Sequence, residues 1–218
     1  MTQRPSPAAR MAPSAWNVAN GLTVLRLLLV PVFGWLLLSN GGQDASARWW
    51  AFGVFFIAML TDRIDGDLAR SRGLITDFGK VLDPIADKTL VTMALVGLSS
   101  IGDIPWWITV VIVVREWGIT AMRFWVIRHG VMAAGRGGKV KTMVQALALG
   151  FFVIPRFSLP LTGLLDVIAW VTLVAALVLT VATGVDYAID ALRLRRTSPR
   201  ALAKRAARAA AREQRHQP

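Results

Sequence analysis

The chain has 218 residues, of which 55% are hydrophobic, with a mean hydropathy of +0.51 and several apolar runs near the roughly 20 residues that cross a bilayer. That composition excludes an ordinary soluble domain, and the absence of cysteine excludes disulfides, zinc–thiolate centres and cysteine nucleophiles. The net charge of +12 is gathered in a few segments, and in so apolar a chain anionic lipid is a more economical partner than nucleic acid.

The predicted organisation is one all-α integral membrane domain of six transmembrane helices over residues 17–190, between a disordered N-terminal tail (1–16) and a basic Ala/Arg-rich C-terminal tail (191–218). Helix 1 is expected from about Leu22 to Leu38. Ala45-Ser46-Ala47 has the look of a signal-peptide cleavage site, but the length of the preceding run and the Arg26 and Pro31 inside it argue against cleavage. Gly41-Gly42 and Asp44 mark the turn that follows. Helix 2 has only 12 cleanly apolar residues, Trp49 to Leu60, so at about 1.5 Å per residue a span must take in some eight more. Those include Asp62, Asp65 and Gly66, which places carboxylates at the inner leaflet, where they are costly and usually functional.

Residues 71–82 read as a connecting loop, and Asp83-Pro84 as a helix start with Asp as N-cap and Pro at the first helical position. Helix 3 then runs to about Ile101, Gly102-Asp103 and Pro105 turn the chain, and helix 4 covers about Trp106 to Ile127. A basic loop with Arg128, His129, Arg136, Lys139 and Lys141 leads to helix 5 (about Thr142 to Leu159), and helix 6 covers about Leu164 to Ile189. Lys and Arg concentrate in both tails and in the loops after helices 2 and 4, so the positive-inside rule puts both termini in the cytoplasm. Tryptophans at span ends, such as Trp49, Trp50, Trp106 and Trp107, suit an interfacial belt.

Asp62, Asp65, Asp83 and Asp87 stand at three- and four-residue spacings in two pairs, one closing an apolar run and the other opening the next. Residues three and four apart share a helix face, so two helices joined by a short loop can aim four carboxylates into one space. Such a cluster of anions calls for a hard divalent cation, and Mg²⁺ or Mn²⁺ takes oxygen ligands. The stretch therefore reads as a metal-dependent active site facing the cytoplasm. Neither histidine, His129 or His216, is near the cluster, so a base acting there is a carboxylate. Asp83 alone also reads as an N-cap, Arg115-Glu116 as a helix-tying ion pair, and Lys139 and Lys141 as topology determinants.

The full string Asp62-x-x-Asp65-Gly66-x-x-Ala69-Arg70, eight residues, Gly79-x-x-x-Asp83-x-x-x-Asp87 resembles the signature of the CDP-alcohol phosphatidyltransferases. Asn20-Gly21-Leu22-Thr23 with Arg26, the segment Thr76 to Lys88, Arg115-Glu116 and Gly138-Lys139-Val140-Lys141-Thr142 with Gln145 extend the similarity, which is greatest to the bacterial phosphatidylglycerophosphate synthases. The resemblance covers about residues 17–190.

It implies six transmembrane helices in a homodimer of the bacterial cytoplasmic membrane, and transfer of a phosphatidyl group from CDP-diacylglycerol to an alcohol with release of CMP. By the same resemblance, Asp62, Asp65, Asp83 and Asp87 hold two Mg²⁺ or Mn²⁺ ions, and Asp87 is also the catalytic general base. Gly66, Ala69, Arg70 and Gly79 form the cytidine nucleotide pocket. Arg115, Lys139 and Lys141, with Arg123 a weaker fourth, bind the phosphate of the acceptor glycerol 3-phosphate; Arg and Lys are the usual partners of phosphate oxygens. Phosphatidylglycerol (a cardiolipin synthase) or inositol phosphate are the alternative acceptors, since the metal motif is common to all three. A cation transporter is the reading from another class. The apolar outer halves of helices 2 and 3 (Phe52, Phe55, Phe56, Leu95, Leu98) leave it without a path.

Overall fold

A computed structural model describes residues 18–72, 76–126 and 136–197, excepting the side chains of residues 19, 63–72, 77, 78, 80, 81, 123–126, 136, 137, 139 and 190–197. The expectations for both tails and for Arg128 and His129 fall outside the described residues, as do those for the side chains of Asp65, Ala69, Arg70, Arg123 and Lys139. The described residues form six long helices and no strand: α1 (Val18–Leu38), α2 (Ala45–Arg72), α3 (Asp77–Ser100), α4 (Trp106–Val126), α5 (Arg136–Val153) and α6 (Thr162–Thr197).

Two stretches, Asn20–Gly42 and Thr162–Ile189, are long and apolar enough by composition to cross a membrane. The other helices each mix an apolar half with a charged one. Their charged halves, the C-terminal parts of α2 and α4 and the N-terminal parts of α3 and α5, are tied to one another and to α1 by ion pairs and hydrogen bonds, so one end of the bundle is polar.

Burial along α1 follows the helical repeat: Asn20, Thr23, Arg26, Val30, Phe33 and Leu37 are all buried. The first three of these meet polar groups and the last three enter the core, where Phe33, Leu37, Phe55, Ala58, Leu95, Leu98, Ile112, Leu149 and Phe152 pack together. Around that core the exterior is also apolar. Leu28, Val32, Trp35, Phe56, Ile57, Val110, Val114, Val171 and Val178 are exposed, a surface suited to lipid rather than water.

Local rules explain most boundaries. Asp44 caps α2: its carboxylate accepts the backbone N–H groups of Ala47 and Ser46 and the Ser46 hydroxyl, which holds its pKa below the usual range. Ala45-Ser46-Ala47 is thus the first turn of a helix. At the end of α3, Asp103 N–H reaches back to the Leu98 carbonyl and Gly102 N–H to that of Ser99. This Schellman closure needs the left-handed backbone that Gly102 supplies at φ +83°.

Three boundaries differ from expectation. The start of α3 is not at Asp83: Thr76 is the N-cap, accepting the Gly79 N–H at 3.0 Å, and Asp83-Pro84 lies inside the helix. Both candidates are bonded from α1, Asn20 to Thr76 and Thr23 to Asp83, but only Thr76 also accepts a backbone N–H of the first turn, that of Gly79. Helix α5 begins at Arg136 and ends at Val153, six residues earlier at each end than the apolar run suggested; Lys139 and Lys141 are therefore helical and Pro155 lies beyond the helix. Helix α6 continues to Thr197.

The end of the bundle opposite the charged halves is closed by Arg48, whose buried guanidinium bonds Asp103 at 2.7 Å, the Val153 carbonyl at 3.1 Å and the Phe152 carbonyl. It thereby satisfies the last carbonyls of α5 from another helix. Breaking a buried pair of this kind costs about 3 kcal/mol. Arg48→Met should accordingly lower the thermal midpoint of the detergent-solubilised protein, and Arg48→Lys, which lacks the planar fork, should recover only part of the loss.

Candidate active site

The polar end of the bundle contains two connected clusters. In the first, successive turns of α1 meet the two aspartate-bearing helices. The Asn20 amide donates to Thr76 at 2.9 Å, the Thr23 hydroxyl donates to Asp83 Oδ1 at 2.6 Å, and the Arg26 guanidinium pairs with Asp62 Oδ1 at 2.6 Å. Asp62 and Asp83, 21 positions apart in sequence, are thus held against side chains three residues apart on one helix face. Asp87 follows Asp83 by one turn, and its Oδ2 accepts from Lys88 at 2.7 Å. Asp65 and Gly66 lie on α2 and Ala69 and Arg70 one turn later on the same helix. No group of three or more potential metal-binding side chains is closed up among the described residues.

Gly79 belongs to this cluster by packing. A β-carbon there would lie 2.7 Å from the Asn20 Oδ1, so the bare backbone is what lets Asn20 reach Thr76. This is a structural requirement for the glycine, in addition to the nucleotide-lining role implied by the resemblance.

The second cluster centres on Glu116 of α4, which is almost fully buried. Its carboxylate meets Lys88 of α3 at 2.9 Å, Arg115 at 3.1 Å and Lys141 of α5. Lys88 joins the two clusters, since it also holds Asp87. Arg115 donates in addition to Thr183 of α6, whose hydroxyl lies 2.5 Å away. Lys88, Arg115 and Lys141 bring three positive charges against two carboxylates, Glu116 and Asp87, which leaves a positive excess in a largely desolvated space. Such an excess favours a bound anion.

Of the residues expected from sequence, Asp62, Asp83, Asp87, Gly79, Arg115 and Lys141 come to this one end of the bundle. Thr23, Lys88, Glu116 and Thr183 complete it as partners that the spacing argument did not single out. Arg26 carried a legible signal, a lone arginine inside an apolar run. Thr23 entered only through the family resemblance, and Thr183 carried no signal, because its partner lies 68 positions away.

The carboxylate oxygens of Asp62, Asp83 and Asp87 are donors of the kind that a hard divalent ion takes in preference to a soft one.

Removing the Glu116 charge should expose the burden of its cations. Glu116→Gln leaves Lys88 and Lys141 without their shared anion and should destabilise by about 3–5 kcal/mol in a denaturation titration. Adding Lys141→Met to that variant should restore part of the loss, a non-additivity that a double-mutant cycle reads directly.

Residues 16–182 match the sequence model of the family described as CDP-alcohol phosphatidyltransferase. The chain is 55% identical over 177 residues to a Mycobacterium tuberculosis protein named "Probable phosphatidylglycerophosphate synthase", covering 81% of this chain and 82% of that one. It is 34% identical over 184 residues to a Bacillus subtilis protein named "CDP-diacylglycerol--glycerol-3-phosphate 3-phosphatidyltransferase" (79% and 93% covered). A Haemophilus influenzae protein of the same name is 34% identical over 178 residues (79% and 91%). A family match over most of the chain, and relatives this similar over most of their own length, make the assignment plain: the chain is a transferase that belongs to the CDP-alcohol phosphatidyltransferase family.

Proposed function

We propose that this protein transfers the phosphatidyl group of CDP-diacylglycerol to glycerol 3-phosphate, giving phosphatidylglycerophosphate and CMP, as a step of phospholipid biosynthesis. The observation that carries a phosphate-bearing acceptor is the positive excess around Glu116, next to the aspartates. The names of the relatives point to the same pair of substrates.

In this reading the acceptor phosphate lies against Arg115 and Lys141, with Lys139 from the same helix, and its free hydroxyl faces Asp87. Asp87 takes the hydroxyl proton as the oxygen attacks the phosphorus that carries the diacylglycerol. The bond from that phosphorus to CMP breaks. Lys88 fixes the carboxylate of Asp87 through Oδ2 and ties it to the phosphate-binding cluster through Glu116. Asp62, Asp65, Asp83 and Asp87 would hold two Mg²⁺ or Mn²⁺ ions, which supply charge neutralisation of the diphosphate. Gly66, Ala69, Arg70 and Gly79 receive the cytidine nucleotide, where small residues let it approach the helix backbone.

The same reading makes all six helices membrane spans, with both termini and the polar end at the cytoplasmic face of a bacterial inner membrane. The apolar exterior supports this placement. A homodimer within the membrane completes the proposal.

The direct test measures CMP release from CDP-diacylglycerol by purified protein with Mg²⁺, offering glycerol 3-phosphate, inositol phosphate and phosphatidylglycerol separately. Turnover is expected with glycerol 3-phosphate alone. Asp87→Asn should lower kcat by 10²-fold or more, since a positioned base contributes about 10²–10⁴. Turnover only with another acceptor would overturn the substrate assignment and leave the aspartate site standing. Chelation of divalent ions by EDTA should abolish CMP release, and added Mg²⁺ or Mn²⁺ should restore it; activity that survives chelation would sink the metal assignment.

A further inference from the structure

Helix α6 supplies none of the residues assigned above, yet it holds the one arginine on which the acceptor-phosphate reading leans most. The Thr183 hydroxyl donates to the Leu179 carbonyl at 2.6 Å, one turn back. With its hydrogen engaged there, the oxygen presents a lone pair outward, and Arg115 Nη2 donates to it at 2.5 Å. The next residue, Gly184, has no side chain, and a β-carbon built on it would lie 3.2 Å from Arg115 Cγ and 3.3 Å from Nε. The stem of Arg115 therefore runs across the bare backbone of α6 while its far end is hooked by the neighbouring threonine.

Glu116 engages Nη1 from the other side. Two of the three guanidinium nitrogens are thus fixed, and the third, Nε, is buried with no hydrogen-bond partner among the described residues. A buried charged donor left in this state is costly unless something fills the place. The guanidinium is held in one orientation, with Nε packed toward the bare backbone of Gly184.

We propose that Thr183 and Gly184 of α6 set the aim of Arg115 on the phosphate of the acceptor, so that Thr183 is a positioning residue for acceptor binding. The proposal rests on the acceptor reading above. It separates binding of acceptor from binding of the lipid donor: α6 acts on the first through Arg115.

The test is the steady-state KM for glycerol 3-phosphate and for CDP-diacylglycerol in the wild type, Thr183→Val, Thr183→Ser and Gly184→Ala. Valine keeps the shape and loses the acceptor oxygen. Losing a hydrogen bond to a charged group should raise the KM for glycerol 3-phosphate about tenfold, with the KM for CDP-diacylglycerol unchanged. Serine restores the hydroxyl and should return the value close to wild type. Alanine at 184 keeps the hydroxyl but presses on Arg115, and should raise the same KM about threefold or more. If Thr183→Val does not fold, Gly184→Ala decides alone. Unchanged KM for glycerol 3-phosphate in the folded variants, equal rises for both substrates, or failure of serine to rescue would each overturn the positioning role. A wild type inactive with glycerol 3-phosphate would instead overturn the acceptor assignment.

Discussion

The polar end of the structure depends on one buried carboxylate. Glu116 sits at the meeting point of α3, α4 and α5, where an isolated charge is expensive. It is tolerable because three cations from those helices surround it, and the same arrangement leaves those cations in excess. A buried salt bridge is weak evidence for stability, since well-packed apolar residues often do as well. This one has a different consequence. It gathers Arg115, Lys88 and Lys141 into a fixed geometry with unspent positive charge, next to Asp87. The charge that an incoming phosphate would neutralise is assembled before the phosphate arrives, so less reorganisation is left for the binding step.

Helix α1 does the corresponding work for the aspartates. Its buried stripe is polar over Asn20, Thr23 and Arg26 and apolar from Val30 onward, so a single face both aligns two carboxylate-bearing helices and anchors them to the core. The two halves of that stripe reinforce each other. Core packing of Phe33 and Leu37 fixes the rotation of α1, and that rotation is what presents Thr23 and Arg26 to Asp83 and Asp62. Lys88 then couples this cluster to the one around Glu116, which makes the site a continuous network across α1 to α5.

Much of this was legible in the chain. The four aspartates stood out because carboxylates at the end of apolar runs are rare, and the short apolar run of helix 2 drew Asp62 and Asp65 into that helix by counting alone. Helix α4 matched its expected limits to within a residue because tryptophans and a proline mark its start. What failed was local. Thr76 and Asp83 are both respectable N-caps seven positions apart, each is bonded from α1, and nothing in the local spacing decides between them. Helix α5 was displaced because its first turns hold Arg136, Lys139 and Lys141, which an apolar-run criterion counts as loop, although Lys141 faces a polar cluster inside the bundle. Glu116 was visible as one half of a pair with Arg115, which the structure shows; its further partners on α3 and α5 were not.

The residues that spacing alone does not reveal share a physical cause. Thr23, Lys88, Thr183 and Gly184 act through neighbours on other helices, and no periodicity within one helix records such a contact. Threonine in an apolar helix normally spends its hydroxyl on the carbonyl one turn back, as Thr61, Thr89, Thr120 and Thr172 do here. Thr183 makes the same local bond and adds a second, to Arg115. The sequence shows only a threonine beside a glycine; the arrangement becomes chemistry when α4 lays a cation across that spot. With this restraint on α6, α3 and α5 supply Lys88 and Lys141 to the other side of the network, and a helix outside the carboxylate clusters bears on where the Arg115 charge points.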